Sequence, residues 1–112
     1  MGICESMDRS KAESLITTEA EGWELAEDEQ KHLKIRRTFR TKNFLKALDL
    51  CNRFGEVAEA EGHHPDLHIT GWNRLTVELT THSRDGLTEN DFIMAAKLNA
   101  VPKDDLLSKK KA

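Results

Sequence analysis

Two segments of alternating side chains, with one long helical segment between them, restrict the folds that this chain can adopt. In residues 32–40 and 75–82, apolar and polar side chains alternate with a period of two, which predicts half-buried antiparallel strands. The segment between them repeats apolar residues at helical spacing over about five turns, which predicts an amphipathic helix. A fold that holds both patterns packs helices against an antiparallel sheet. The apolar residues of the helical segment are Phe44, Leu45, Leu48, Cys51, Phe54, Val57 and Ala58.

Shorter patterns on either side complete the order of elements. The predicted fold class is α+β: one domain with a four-stranded antiparallel sheet and three helices packed on one face, in the order α-β-β-α-β-β-α. We place this domain at residues 10–102, after a flexible N-terminus at 1–9 and before a charged tail at 103–112. The further predicted elements are a helix from Asp8 or Ser10 to Gly22, strands at 23–26 and 66–70, and a helix from Thr88 that ends before Pro102. Thr41 is expected to cap the long helix, and the spacing of Thr88 and Asp91 resembles a capping box at the start of the last one.

The composition narrows the functional classes. The chain has 112 residues, of which 38% are hydrophobic and 33% charged, as in a single globular domain. Its net charge of −3 argues against a general nucleic-acid or anionic-membrane surface, and a basic run at 34–42 is interpreted as a solvated strand face. No apolar segment is long enough for a transmembrane span or a signal peptide. Two cysteines, Cys4 and Cys51, fit a reducing compartment such as the cytoplasm. Gly2 matches a myristoylation pattern loosely, which leaves its acylation open.

Four of the five histidines lie between residues 63 and 82, beside two carboxylates. Gly62 follows the last residue of the helical pattern, where a left-handed C-cap belongs. The histidine pair should therefore lie just beyond a helix C-terminus, whose partial negative charge stabilises a protonated imidazole. An imidazole pKa near neutrality suits proton transfer. The cluster consists of His63, His64, His68 and His82, with Glu59 and Glu61.

The residues of this cluster leave more than one chemistry open. His64 and His68 are four residues apart, as in helical zinc sites, but Pro65 disfavours a helix there. Cys51 is predicted to be buried, and no serine occupies a strand–turn–helix elbow, which argues against a nucleophilic enzyme. General acid–base catalysis needs only suitable proton-transfer groups, an orienting carboxylate and a pocket. Ordinary loop histidines on a binding module are the alternative.

The cluster is part of a spaced set of residues: Glu59, His63, His64, Pro65, Trp72, His82 and Asp91. This spaced pattern resembles the pterin-4a-carbinolamine dehydratase family. The family pattern is a charged residue, three positions, His-His-Pro, an aromatic residue, nine positions before a further histidine, and a later aspartate. Gly22–Trp23 and residues 86–91 are also similar to the family, and the likeness covers about residues 10–102. Gly62 departs from it, since some members carry an acidic residue there.

The resemblance implies a hydro-lyase. Its reaction would be the dehydration of 4a-hydroxytetrahydrobiopterin to quinonoid dihydrobiopterin and water, in tetrahydrobiopterin recycling, by histidine acid–base catalysis. The family requires no metal and no redox cofactor. By position, His63 and His82 would be the catalytic acid–base pair, and Glu59 would orient His63. The pterin would be bound, or its site shaped, by His64, Pro65, Trp72 and Asp91.

The resemblance also implies partners. In animals the family is known as the dimerisation cofactor of a hepatocyte nuclear factor, so the alternative function is an oligomeric interaction module that acts as a transcriptional coactivator. A homodimer or homotetramer would follow, with a hydroxylase or a transcription factor as protein partner and no direct nucleic-acid contact. Such a role would add a nuclear location to the cytoplasmic one. An oligomer contact is the alternative to a core position for Phe44, Leu48, Cys51 and Val57.

Overall fold

The computed structural model describes residues 7–108 and confirms the predicted fold class. Within these residues, three helices and one four-stranded antiparallel sheet follow the order α-β-β-α-β-β-α. A one-turn 3-10 helix separates the last strand from the last helix. The elements are α1 (Arg9–Thr18), β1 (Glu24–Glu27), β2 (Leu33–Arg40), α2 (Phe44–Glu61), β3 (Asp66–Thr70), β4 (Arg74–Leu79), the 3-10 turn (His82–Arg84) and α3 (Glu89–Ala100).

The sheet topology brings two histidine-bearing segments to the same end of the sheet. The strand order is β1-β2-β4-β3, so β2 and β4 are the central strands. In the antiparallel register, Asp66 at the start of β3 lies opposite Glu78 near the end of β4. The segment that precedes β3 carries His63 and His64, and the segment that follows β4 carries His82. The topology therefore accounts for why residues far apart in sequence can share one site.

The period-two pattern places one side of each central strand in the core. The rings of Phe39 and of Phe54 on α2 lie 5.3 Å apart, so the sheet and this helix share an aromatic contact. The opposite face is polar, and there the hydroxyl groups of Thr38 and Thr76 are 2.8 Å apart. The buried residues of the two strands, each 3% exposed or less, are Ile35, Phe39, Leu75, Val77 and Leu79.

The last central strand is shorter than the alternating pattern predicts. β4 ends at Leu79, and His82 begins the 3-10 turn instead of closing the strand. The N–H of Thr81 donates to the carbonyl of Gly86 at 2.9 Å, so the chain doubles back on itself at that point. The prediction that His82 ends the strand is wrong, because this local bridge replaces pairing with β2.

The caps of α2 confirm one prediction and correct another. Gly62 is the C-cap in the left-handed region, with φ 66°, as predicted. The N-cap is Asn43, whose side chain accepts the N–H of Lys46 at 2.9 Å. Thr41, which the sequence suggests as the cap, is fully buried, and its hydroxyl donates to the carbonyl of Asn43 at 2.9 Å. Asn43, which follows this buried turn, therefore caps the helix in place of Thr41.

The face of α2 that enters the core is not the one that the largest apolar residues suggest. Its fully buried residues are Ala47, Leu50 and Phe54, which lie on one side at helical spacing. Phe44 and Leu48 are instead 49% and 40% exposed. Interpreting these two residues as core was wrong, because docking on the sheet selects the Ala47 side of a helix with apolar groups around much of its circumference.

Gly62 and Gly55 provide a matched test of the helix C-cap. Neither position has an atom within 4 Å of an added Cβ, so backbone conformation alone decides the outcome. Gly62→Ala should lower the free energy of unfolding by about 1–2 kcal/mol, because L residues are disfavoured at positive φ. Gly55→Ala, inside α2, should raise it by about 0.5–1 kcal/mol. Urea unfolding measures both, and a stabilising Gly62→Ala change would contradict this account.

Residues just outside the range 10–102 also form contacts with the rest of the fold. The N–H of Met7 donates to the carbonyl of Leu87 at 2.8 Å, and Asp8 caps α1. Beyond α3, Leu106 is buried and Leu107 forms a bridge with Thr41. The remainder of the predicted terminal segments, with the predictions for Gly2 and Cys4, lies outside the described residues. Within 7–108, no helix combines the length and apolarity that crossing a membrane requires.

Candidate active site

The end of α2 directs His63 towards the start of α3. After the left-handed turn at Gly62, the N–H of His63 donates to the carbonyl of Ala58 at 3.2 Å. The imidazole Nε2 then lies 2.6 Å from Oδ1 of Asp91, the third residue of α3. The side chain of His63 is 20% exposed, whereas that of Asp91 is completely buried. The site is therefore built around a partly buried imidazole that faces a buried carboxylate.

Asp91 is held in place by the N-terminus of α3. Thr88 and Asp91 form a capping box, in which Oδ2 of Asp91 accepts the N–H of Thr88 at 3.0 Å. The hydroxyl of Thr81 also donates to Oδ2, at 2.8 Å. Both donors occupy the same carboxylate oxygen, which leaves Oδ1 to face His63. The capping pattern predicted from the sequence thus also orients the carboxylate of the site.

The contact with Asp91 favours the protonated form of His63. The hydrogen bond to this carboxylate raises the pKa of His63 above its ordinary value, burial opposes the change, and charge attraction adds to it. The second ring nitrogen, Nδ1, has no hydrogen bond to a described residue, and it is not buried. His63 can therefore keep a proton through Nε2 while Nδ1 is open to a bound molecule.

His64 and Glu59 form a separate, exposed pair. Nε2 of His64 lies 2.9 Å from Oε1 of Glu59, and their side chains are 64% and 82% exposed. Glu59 is the residue predicted to orient His63, and in the structure Asp91 occupies that position. The left-handed residue at Gly62 breaks the helical spacing on which the prediction depends, so the two adjacent rings meet different carboxylates.

His82 is adjacent in sequence to Thr81, which belongs to the hydrogen-bond network around Asp91. It is exposed, it begins the 3-10 turn, and it directly follows Thr81. His68 lies elsewhere, on the outer face of the sheet, where its Nε2 is 3.4 Å from Oε1 of Glu78. Lys34 contacts the same oxygen at 3.1 Å. His68 thus belongs to a surface ion-pair group.

Trp72 is not brought to the histidines within the chain. It lies in the turn between β3 and β4, is 61% exposed and has φ 64°. This turn is at the opposite end of the hairpin from Pro65, which directly precedes β3. A strand of five residues spans about 15 Å. The structure therefore separates the predicted substrate contacts into a group near Asp91 and one distant aromatic residue.

A recess of about 160 Å³ opens beside His63, between the end of α2 and one side of α3. Lys97 Nζ and Glu61 Oε2 form an ion pair of 2.7 Å at this recess. The sequence interpretation missed this pair, as well as Thr81 and Thr88 as partners of the carboxylate. Only Thr88 carried a usable signal, since the capping spacing links it to Asp91. The lining residues are Glu61, Gly62, His63, Asn90, Ile93, Met94 and Lys97.

Fold and site together define a class: a small α+β domain in which a partly buried imidazole contacts a buried carboxylate. Comparison with known proteins makes this class specific. A family model described as pterin 4 alpha carbinolamine dehydratase matches residues 5–101. The chain belongs to this family, which confirms the resemblance found in the sequence.

Individual relatives agree with the family match. Pterin-4-alpha-carbinolamine dehydratase 2, mitochondrial, of Arabidopsis thaliana is 50% identical over 106 residues, which are 95% of this chain and 56% of that protein. A relative from Methylococcus capsulatus is 58% identical over 66 residues, 59% of this chain and 57% of that protein. The chain thus spans little more than half the length of these curated relatives.

A solved structure shares the fold. It is described as a transcriptional coactivator/pterin dehydratase from Brucella melitensis. It aligns with a TM-score of 0.72 and 31% sequence identity, over 87% of this chain and 98% of that one.

Proposed function

We propose that this chain dehydrates 4a-hydroxytetrahydrobiopterin to quinonoid dihydrobiopterin and water, as a hydro-lyase in tetrahydrobiopterin recycling. The observation that carries the proposal is the 2.6 Å contact of His63 with buried Asp91, in a chain of the pterin carbinolamine dehydratase family. Relatives named for this activity support the same reaction.

The chemistry needs a proton donor and a proton acceptor. The bond between C4a and its hydroxyl oxygen breaks as His63 gives that oxygen a proton, so that water leaves. The adjacent ring nitrogen loses its proton to a base, for which we propose His82, and its electron pair forms the new C=N bond. Charge balances, because one histidine loses a proton and the other gains one. Exchange with solvent restores both.

The remaining predicted residues take supporting roles in this proposal. His64, with its exposed partner Glu59, stands beside His63 and can bind polar groups of the pterin. Pro65 fixes the extended backbone between the histidine pair and β3. Trp72 would reach a pterin only if it came from another copy of the chain, since it lies at the far end of its own hairpin.

The test is dehydration of a carbinolamine generated in solution, followed by absorbance. The wild-type chain should accelerate the reaction, and His82→Ala should lose about two to four orders of magnitude of that acceleration. If the wild-type chain gives no acceleration, the proposed activity is wrong. If His82→Ala keeps full activity, another group is the base.

A second proposed function is an oligomeric interaction module, either alone or beside catalysis. The observation that favours it is the outward face of α2, where Phe44, Leu45 and Leu48 are 49%, 68% and 40% exposed. Large apolar groups adjacent on one helix mark interaction sites in soluble proteins. We propose that this face joins copies of the chain into a homodimer or homotetramer. The Brucella protein, described as a transcriptional coactivator as well as a pterin dehydratase, supports a coactivator role, and a cytoplasmic or nuclear location stays a prediction.

The oligomer predicts a mass change on substitution. Phe44→Glu with Leu48→Glu should shift the sedimenting species to monomer, because charges would enter an apolar contact. Ile93→Glu is the matched control, since Ile93 is 53% exposed but lies on α3. A wild-type chain that sediments as a monomer, or a double variant that keeps the wild-type mass, would contradict the proposed contact.

A further inference from the structure

The hydroxyl of Thr81 links the segment that carries His82 to Asp91, the carboxylate that also contacts His63. It donates to Oδ2 of Asp91 at 2.8 Å, and Oδ1 of the same carboxylate meets His63 at 2.6 Å. Thr81 also directly precedes His82 and fixes the backbone there, through its N–H bond to the carbonyl of Gly86 at 2.9 Å. One residue is thus linked to both members of the proposed acid–base pair.

The direction of the hydrogen bonds around Thr81 is determined by their number. A threonine hydroxyl has one proton, and Thr81 uses it towards Asp91. In the contact of 2.9 Å between the hydroxyls of Thr81 and Thr88, Thr88 is therefore the donor. Thr88 and Asp91 are completely buried, so solvent cannot replace a lost partner without entering the core. The chain of donors runs from Thr88 through Thr81 to the carboxylate, and each bond polarises the next.

We propose that Thr81 is a positioning residue for the dehydration: its hydroxyl keeps the Asp91 carboxylate turned so that Oδ1 faces His63. This inference rests on the proposed function and extends it to a residue outside the family pattern. Without the hydroxyl, the carboxylate keeps the N–H of Thr88 but loses the second donor on Oδ2. It is then free to rotate about its last side-chain bond, and its contact with His63 loosens.

Other charged groups on the same elements do not replace this arrangement. Among the described residues, the side chain of Asp91 forms its hydrogen bonds with His63, Thr81 and Thr88. Glu59 is committed to His64, and Glu61 to Lys97. The titratable groups nearest in sequence to this contact are Glu59, Glu61 and His64 at the end of α2 and in the turn after it, His82, Arg84 and Asp85 in the 3-10 turn and its C-cap, and Glu89 and Lys97 on α3.

The decisive variant is Thr81→Val, which keeps the branched shape and removes only the hydroxyl. We expect kcat/KM to fall by about tenfold to a hundredfold, as for loss of a hydrogen bond to a charged group. In an NMR titration, the pKa of His63 should move down towards its ordinary value. Thr81→Ser restores the hydroxyl and should recover most of both properties. Thr80→Val is the matched control, because the hydroxyl of Thr80 contacts only backbone carbonyls, that of Leu33 at 2.9 Å and that of Gly86 at 3.2 Å, and not Asp91.

The outcomes separate this inference from the proposed function. A wild-type chain without dehydratase activity overturns the function, and with it the positioning role. An active wild type whose Thr81→Val variant keeps its rate and its His63 titration overturns the positioning role alone. The same holds if the His63 pKa rises in Thr81→Val, or if Thr80→Val has an equal effect. Thermal unfolding of each variant is measured first and identifies a general loss of structure. If Thr81→Val has lost structure, the comparison is made with Thr81→Ser, which keeps the hydroxyl.

Discussion

Replacing His63 with glutamine is expected to lower kcat for carbinolamine dehydration by about two to four orders of magnitude. Glutamine fills a similar volume and can still hydrogen-bond to Asp91, but it cannot give a proton to the leaving hydroxyl. His68→Gln is the matched control, since the same substitution on the outer face of the sheet affects only the contact with Glu78. The absorbance assay for dehydration measures both variants.

The raised pKa of His63 also determines the direction in which activity and stability should change with pH. The pKa of His63 is raised in the folded chain, so this proposed acid remains protonated to higher pH than a free histidine, and activity should fall as pH rises through the folded value. The same shift stabilises the fold: its contribution is complete below the unfolded pKa of about 6.5 and disappears as pH rises through the folded pKa. His63→Gln should remove both effects. A variant with the wild-type rate, or with an unchanged alkaline limb, would show that another group is the acid.

The sequence predicted the central strands and the end of the long helix, but not which face of that helix is buried. Alternation in β2 and β4 identified the central strands, because burial on one side imposes a period of two. Gly62 marked the end of α2, because a left-handed residue is needed there. The inward face of α2 could not be predicted, since both Leu50 and Leu48 fit an apolar stripe. Only contact with the sheet decides that Leu50 is buried and Leu48 is not.

The candidate site was predictable as a set of residues but not as a set of contacts. Spacing along a helix suggested Glu59 as the partner of His63, and this reasoning fails beyond Gly62, where helical geometry ends. The contact of His63 with Asp91 spans 28 residues of sequence, so no local rule contains it. It depends on two separate features. After Gly62 the chain directs His63 towards α3, and the capping carboxylate of Asp91 leaves Oδ1 facing His63.

The second large effect on catalysis is expected for Asp91→Asn, because this substitution should change the tautomer of His63. The N–H of Thr88 and the hydroxyl of Thr81 require an acceptor, so the amide oxygen should replace Oδ2 and the amide nitrogen should face His63. Nε2 of His63 would then have to accept a hydrogen bond, which keeps the imidazole neutral, with its proton on Nδ1. We expect kcat to fall by about tenfold or more and the pKa of His63 to fall towards about 6.5.

The stability of Asp91→Asn should depend on pH in a way that identifies the lost interaction. At about pH 6 the wild-type chain has a charged His63–Asp91 pair, and its loss should lower the free energy of unfolding by about 1.5–3 kcal/mol. At a pH above the folded pKa of His63, as located by its NMR titration, the difference from the wild type should be smaller. Asp85→Asn, an exposed position in the turn before α3, is the control that should show no such dependence. Urea unfolding at both pH values gives the four free energies. An Asp91→Asn deficit that is equal at both, or larger at the higher pH, would mean that the carboxylate stabilises only the cap of α3 and not a protonated His63.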